Sequence, residues 1–378
     1  MKFFIYMIFI YISIYILADI CYNVSKFKKY KEKSMENKKV VIGLSGGVDS
    51  SVTAYLLKEQ GYEVIGATMQ TLDEMPAVED ARKVAESLGI DYYVLDFRKE
   101  FKENVINYFA EEYKNGRTPN PCVVCNRLIK WEALLDRAKS LGADYVATGH
   151  YATIEKHPVT GRYCMVMSEA ASKDQTYVLY NLTQEQLSHT IMPCGKYTKD
   201  QIRAIAEKIG LKVANKPDSM EICFIPDNDY VGYIERNFGY KGKAGNFIDM
   251  EGNILGKHKG IINYTVGQRK GLGIAFGKPV YVNKILPDKN AVVLGSNEDL
   301  FKKEVCANNV NFVAVSEITE PIRAKAKIRY AHKASDCTVS YENGILKCVF
   351  DEPQRAATPG QALVVYDGKY VLCGGTII

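Results

Sequence analysis

The apolar run Val40-Val41-Ile42-Gly43-Leu44 breaks at Ser45-Gly46-Gly47-Val48-Asp49-Ser50 and passes without a spacer into a helical pattern ending at Gly61. A chain that places two adjacent glycines between a buried strand and a helix has few folds open to it. In an open parallel sheet, ligands sit at the carboxyl ends of the strands. The first turn of the following helix offers unpaired N–H groups and the positive end of its dipole to an anion. Gly46 and Gly47 let the backbone approach a phosphate closely and reach positive φ. Ser45 and Ser50 add hydroxyls, and Gly43, Leu44 and Val48 carry the backbone into and out of the turn. Asp49 is unusual in a plain anion nest. It reads as a helix N-cap or as a carboxylate on a magnesium ion accompanying the phosphates. No Gly-Lys-Ser/Thr follows, so this is not a Walker A loop.

Downstream, strand and helix patterns alternate: YEVIGATM, AVEDARKVAESLG, DYYVLDF, KEFKENVINYFAEEYKNG, RLIKWEALLDRAKSLG and DYVATGH. Continuous apolar strands between helices predict an α/β domain whose parallel sheet is covered on both faces. Beyond about residue 228 the texture changes. Glycines crowd the stretch GYKGKAGNFIDMEGNILGKHKG, and the last part of the chain alternates as antiparallel strands, with hairpin turns at Glu342-Asn343-Gly344 and Asp367-Gly368. The expected division is an N-terminal extension over 1–34, a nucleotide-binding catalytic domain over 35–228, a small Gly-rich middle domain over 229–298 and a C-terminal β-barrel-like domain over 299–378.

The extension stands apart in composition. MKFFIYMIFIYISIYILA is nearly all apolar, and KFKKYKEK follows it. Residues 1–34 hold six lysines against Asp19 and Glu32, so they carry four of the chain's five net positive charges. The run is slightly short of the roughly 20 residues of a spanning helix. Three readings stand: Met35 as the true start, a membrane anchor whose lysines keep the rest cytoplasmic, or a signal peptide, which fits least well because its basic region is only Lys2. The remaining 344 residues are nearly neutral, so nucleic acid would have to be met by local basic patches. Ten cysteines scattered over 378 residues fit a reducing, cytoplasmic setting with mostly free thiols.

Ser45–Ser50 resembles the PP-loop of the ATP pyrophosphatase superfamily, whose members cleave ATP between the α- and β-phosphates and adenylate a carbonyl-type oxygen. Six further stretches narrow the resemblance: GRTPNPCVVCNRLIKW (116–131), ATGHYA (147–152), KDQTYVLY (173–180), DSMEICFIPD (218–227), YTVGQRKGLGI (264–274) and TPGQALVVYDG (358–368). In this order and spacing they resemble the tRNA-specific 2-thiouridylase family, from about Lys38 to the C-terminus.

The resemblance implies ATP-dependent transfer of sulfur to C2 of the wobble uridine of tRNA. The chemistry requires two activations. Uracil O2 is a poor leaving group until adenylated, and sulfur must arrive from a thiol. By resemblance, Cys223 carries the persulfide and Cys125 attacks it. Met69 and Gly149 are implied at the adenosine part of ATP. Asn120, Pro121, Cys122, His150, Lys173, Asp174, Gln175, Arg329, Tyr330 and Gln361 are implied as tRNA contacts. ATP with magnesium is the expected cofactor set, and tRNA and a persulfide donor, such as a cysteine desulfurase or a sulfur relay protein, are the expected partners. Two departures stand out. The stretch MQTLDEMPA (69–77) is shorter than many relatives have there, and Cys122 occupies a position where Asp is frequent. Cys122-Val-Val-Cys125 lacks a second Cys-x-x-Cys to complete a zinc site, and its Pro-Asn-Pro setting is wrong for a thioredoxin-like dithiol. An iron–sulfur cluster on Cys122, Cys125 and Cys223 stays open beside the persulfide relay. A synthetase acting on a small metabolite would need neither thiol, and a non-catalytic RNA binder would not need Asp49.

Overall fold

The computed structural model describes residues 38–211, 222–274 and 277–378. The readings made for residues 1–34, for Met35 and for Asp218–Glu221 lie outside the described residues. Among the described residues no helix is long and apolar enough to cross a membrane.

The first seven strands are β1 (Lys39–Gly43), β2 (Glu63–Gln70), β3 (Asp91–Asp96), β4 (Tyr145–Ala147), β5 (Ala152–Lys156), β6 (Tyr163–Met167) and β7 (Thr190–Ile191). Five of them form a parallel sheet in the order β3-β2-β1-β4-β7. β1 is central and almost wholly buried, as its unbroken apolar run requires. Helix α1 (Val48–Glu59) follows it directly and α2 (Ala77–Leu88) follows β2. The sheet is not covered evenly. Edge strand β3 leaves Tyr93 and Val94 exposed, at 43% and 38%, because among the described residues it pairs only with β2.

Two long helical segments complete this layer: α3 over 98–114 and α4 over 121–140, each with a stretch of wide π-type turns. The sequence pattern predicts α4 from Arg127. It starts earlier, because Pro121 at the first helical position supplies a preset φ and needs no N–H partner. Cys122 and Cys125 therefore lie in the opening turns of a helix and not in a loop. Trp131 of α4 is fully buried and donates its indole N–H to Thr190 Oγ1 at 2.7 Å, tying α4 to β7. Helix α5 (Lys199–Lys208) opens with a capping box of Thr198 and Gln201. Helix α6 (Tyr230–Phe238) follows Cys223.

Four strands, β8 (Gly245–Ile248), β9 (Ile254–His258), β10 (Tyr281–Leu286) and β11 (Ala291–Gly295), make a small mixed sheet in the order β10-β11-β8-β9. Its own apolar cluster includes Phe247, Tyr264 and Val292. The last six strands are β12 (Phe301–Phe312), β13 (Ile322–Lys327), β14 (Ser335–Glu342), β15 (Ile345–Arg355), β16 (Ala362–Asp367) and β17 (Tyr370–Ile377). They pair antiparallel as β12-β15-β14-β13-β16-β17, and β12 pairing with β17 closes the barrel. The β14–β15 turn has Asn343 and Gly344 both at positive φ, the geometry of a two-residue turn that matches strand twist.

The α/β layer and the barrel are joined covalently in sequence and also through a shared sheet. Hairpin β5–β6, which interrupts the α/β layer, adds to barrel strand β17 through Tyr370 and Val166. Thr160 and Arg162 of the same hairpin donate to the carbonyls of Ala314 and Val313 at 2.6 and 3.0 Å.

Candidate active site

The phosphate-type loop is held open by its own serines. Ser45 N–H donates to Ser50 Oγ at 3.2 Å, the two hydroxyls stand 3.1 Å apart, and Ser51 Oγ donates to Gly47 O at 2.8 Å. Gly46 has φ +65°, and a Cβ there would lie 2.8 Å from Ala77 O of α2, so only glycine fits the turn. Gly47 occupies the N-cap position of α1 and supplies no side-chain cap. The free N–H groups of the first turn thus keep their capacity for an anion. Gly43 sits against Met69: a Cβ at Gly43 would lie 3.2 Å from Met69 Cε. Met69 itself is half-buried on the edge of the core.

Asp49 is not the N-cap. It is the second residue of α1, and its carboxylate is taken by neighbours. Lys199 Nζ donates to both oxygens at 2.9 and 2.8 Å, and the Tyr151 hydroxyl donates to Oδ1 at 2.7 Å. An ammonium bonded to both oxygens repels a second cation, so this arrangement does not fit a magnesium ion held directly by Asp49. Gly149 backs the same spot. A Cβ there would lie 2.6 Å from Ser50 N and 3.0 Å from Asp49 Cβ, so Gly149 permits close approach of the β4 end to the loop.

The thiols form the second half of the site. Cys122 and Cys223 are exposed and Cys125 is half-buried, and all three are free thiols. They are close enough to feel one another's charge. Burial pushes the Cys125 thiol up to about 11, with Cys223 and Cys122 adding to the rise and the Lys130 ammonium opposing it. Burial likewise raises Cys223, with Cys122 adding and Lys130 opposing. Among the described residues no group of three or more His, Cys, Asp or Glu side chains is gathered to hold a metal ion.

His150 adjoins Gly149 in the segment after β4. Burial holds its imidazole well below the usual histidine range, and Lys130 pushes the same way, so the ring is neutral. It lies 5.4 Å from the Trp131 ring, with Nδ1 2.7 Å from Thr148 Oγ1. Lys130, Lys199 and Tyr151 are contributors that sequence reading missed. One signal was available for Lys199: a cation at the first position of a helix opposes the dipole and implies a nearby carboxylate.

Several residues expected at the tRNA also make contacts within the protein. Gln361 Nε2 donates to the carbonyls of Thr118 and Pro119 at 2.9 and 3.1 Å. Thr118 N–H donates to Pro359 O at 2.8 Å. The barrel thereby clamps the segment leading to Asn120, Pro121 and Cys122. Asn120 precedes the first helical residue, and Pro121 is buried. Asp174 is 6% exposed, accepts from Ser168 N–H and Thr176 Oγ1 at 3.2 and 2.7 Å, and pairs with Lys327 of the barrel at 3.8 Å. Its lone pairs are thus turned inward in this structure. Gln175 spends its Oε1 on Tyr151 N–H at 2.9 Å. Lys173, half-buried, ends the short 3-10 turn before it. Tyr330 is 45% exposed. Burial raises its hydroxyl, and Asp174 and Cys122 add to the shift. Arg329 turns the other way and donates to Ala356 O.

Three family models tile the chain: a tRNA methyl transferase HUP domain over 38–227, a tRNA methyl transferase PRC-barrel domain over 233–296 and an aminomethyltransferase beta-barrel domain over 302–377. A tRNA-specific 2-thiouridylase MnmA of Lachnoclostridium phytofermentans is 58% identical, covering 90% of this chain and 99% of that protein. The tRNA-specific 2-thiouridylase MnmA of Clostridioides difficile is 55% identical over 90% of this chain and 98% of that protein. A solved 4-thiouridine synthetase–RNA complex with bound ATP is 19% identical with a TM-score of 0.36, covers 53% of this chain and 50% of that chain, and carries no argument. Identity at this level over nearly the full length of those relatives leaves one assignment: the chain belongs to the tRNA-specific 2-thiouridylase family.

Proposed function

We propose that the chain is an ATP-dependent tRNA-uridine 2-sulfurtransferase. It adenylates O2 of the wobble uridine and replaces it with sulfur relayed through Cys223 and Cys125. The observation that carries this reading is the presence, in one α/β domain, of an uncapped glycine loop at the start of α1 and three free thiols, Cys122, Cys125 and Cys223, whose charges act on one another. The thiols also separate thiolation from the methyl transfer named in the family-model descriptions, which has no use for a persulfide carrier.

ATP would place its phosphates at the N–H groups of Ser45–Ser50. Magnesium would be held by those phosphates, because Lys199 already neutralises Asp49. Attack of uracil O2 on the α-phosphorus expels pyrophosphate and leaves an adenylated base. A donor of the persulfide class, such as a cysteine desulfurase or a sulfur relay protein, charges Cys223 as Cys223–S–SH. The Cys125 thiolate attacks the Cys223 sulfur, forming a Cys125–Cys223 disulfide and expelling hydrosulfide. Hydrosulfide adds at C2, AMP leaves with the original oxygen, and a dithiol reductant restores both thiols. The exposed ring of Tyr330 offers a face to an entering base. Stacking on an aromatic face is the ordinary way to hold an unstacked RNA base.

The test is thiolation by rigorously iron-free protein given ATP, magnesium, a tRNA transcript and a persulfide donor, read by mass spectrometry of tRNA nucleosides. Formation of 2-thiouridine with equimolar AMP is expected. A dead iron-free protein restored by iron and sulfide would overturn the relay in favour of a cluster.

A further inference from the structure

The seam between the middle domain and the barrel holds an unneutralised cationic pair, Arg355 beside the Arg329 already expected at the tRNA. Gly267, in the turn of the VGQRKGLGI stretch, has φ +90°, and a Cβ there would lie 3.0 Å from Ala356 Cβ of the barrel. The same point is 3.7 Å from Arg329 Nη2 and 3.8 Å from Arg355 Nη1. Two guanidinium groups from β15 and the segment after β13 thus converge on one glycine turn. Neither has a carboxylate partner among the described residues. Arg329 donates to Ala356 O, and Arg355 Nε donates to Asn297 Oδ1 at 3.0 Å. The Arg355 guanidinium also lies over the Tyr281 ring at 5.3 Å, which fixes its plane. His332 N–H donates to Arg329 O at 3.2 Å. Burial and the mutual repulsion of the two arginines lower the Arg329 guanidinium, and both arginines push the His332 imidazole down.

Like charges held together in a half-buried seam, without a carboxylate between them, lose free energy unless an anion joins them. A guanidinium fork fits a phosphate or carboxylate bidentately. Tyr330, next in sequence to Arg329, is 45% exposed, so the seam opens to solvent beside an aromatic face. We propose that Arg355, with Arg329 and His332, forms a phosphodiester-binding site on this seam, which takes the tRNA backbone. The proposal rests on the tRNA reading above and adds Arg355 and His332 to it. Gly267 admits the backbone because any side chain there would fill the space between the two forks.

The experiment measures the affinity of wild-type protein, Arg355→Gln and a control, Arg323→Gln, for an unmodified tRNA transcript over a range of salt. Arg323 is exposed and already paired with Asp351 at 2.6 Å. A lost phosphate contact lowers the salt slope by about one and weakens binding uniformly across sequences. Arg355→Gln should show that slope change and a several-fold loss at low salt, and Arg323→Gln should match wild type. A wild-type slope in Arg355→Gln overturns the site. Should Arg355→Gln fail to fold, Arg355→Lys keeps the charge and loses the fork. It should keep the slope and lose several-fold in affinity, and wild-type affinity there overturns the site equally. Wild-type protein that binds the transcript but never thiolates it overturns the function proposed above, while a slope change in the variant still supports this site.

Discussion

The phosphate loop and the thiol pair sit in one domain but are built by different means. The loop is local: Ser45, Gly46, Gly47, Ser50 and Ser51 hold one another within seven consecutive residues. The thiol pair is assembled from distant parts. Cys125 comes from the start of α4, Cys223 from a segment almost a hundred residues later, and the approach to Cys122 is fixed by Gln361 and Pro359 of the barrel. The loop needs only its strand and helix to form. The thiols need three layers of the molecule to be docked, so damage to the barrel should reach sulfur transfer while leaving adenylation almost untouched.

The sharpest break of that contrast is at the thiols. Cys125→Ser and Cys223→Ser should each abolish 2-thiouridine formation while tRNA-dependent AMP and pyrophosphate chemistry at the loop persists, because each thiol has its own covalent duty. Single-turnover assays with labelled ATP and with labelled sulfur read the two halves separately. Loss of both halves together would show that they are one unit.

The converse break is Lys199→Ala. It strips the Asp49 carboxylate of the bond to both oxygens and leaves a half-buried charge held by Tyr151 alone. Adenylation should fall by about a hundredfold, the scale of losing one preorganised electrostatic contact, with tRNA affinity within a few-fold of wild type. Adenylation at the normal rate would mean that Asp49 and Lys199 are only a structural tie.

Acidity offers a third probe. Burial puts the Cys125 thiol at about 11, so below that value the attacking thiolate grows tenfold per pH unit. Release of sulfide from a precharged Cys223 persulfide should therefore climb with slope one between about pH 7 and 9. A flat profile would show that the bound substrate, or Lys130, has already drawn the proton off.

Gln361→Ala should act more mildly. It removes two hydrogen bonds of about 1 kcal/mol each while the Thr118–Pro359 backbone bond remains, so thiolation should drop about tenfold with AMP formation unchanged. Equal loss in both halves would erase the contrast between loop and thiols. The smallest effect belongs to Cys122→Asp, which keeps both covalent duties filled and should leave turnover within a few-fold. A dead Cys122→Asp protein with normal folding would show that this third thiol takes part.

The parts of this protein legible in its sequence are those that obey short-range rules. Strand–helix alternation, the glycine loop, the Asn343-Gly344 turn and the two cysteine motifs follow from periodicity, turn sterics and motif order, which depend on neighbours a few residues apart. Pro121 also marks where α4 begins, although apolar periodicity alone placed that start later. The tertiary structure decided what long-range partners impose. It gave Asp49 to Lys199 and Tyr151, turned Asp174 inward toward Lys327, and used Gln361 as a clamp on Thr118 and Pro119. It also laid hairpin β5–β6 along the barrel and left Tyr93 and Val94 of edge strand β3 exposed. A side chain's hydrogen-bond partner is set by which surfaces meet on folding, and one sequence position carries no record of the residue a hundred or more places away that will take its lone pairs.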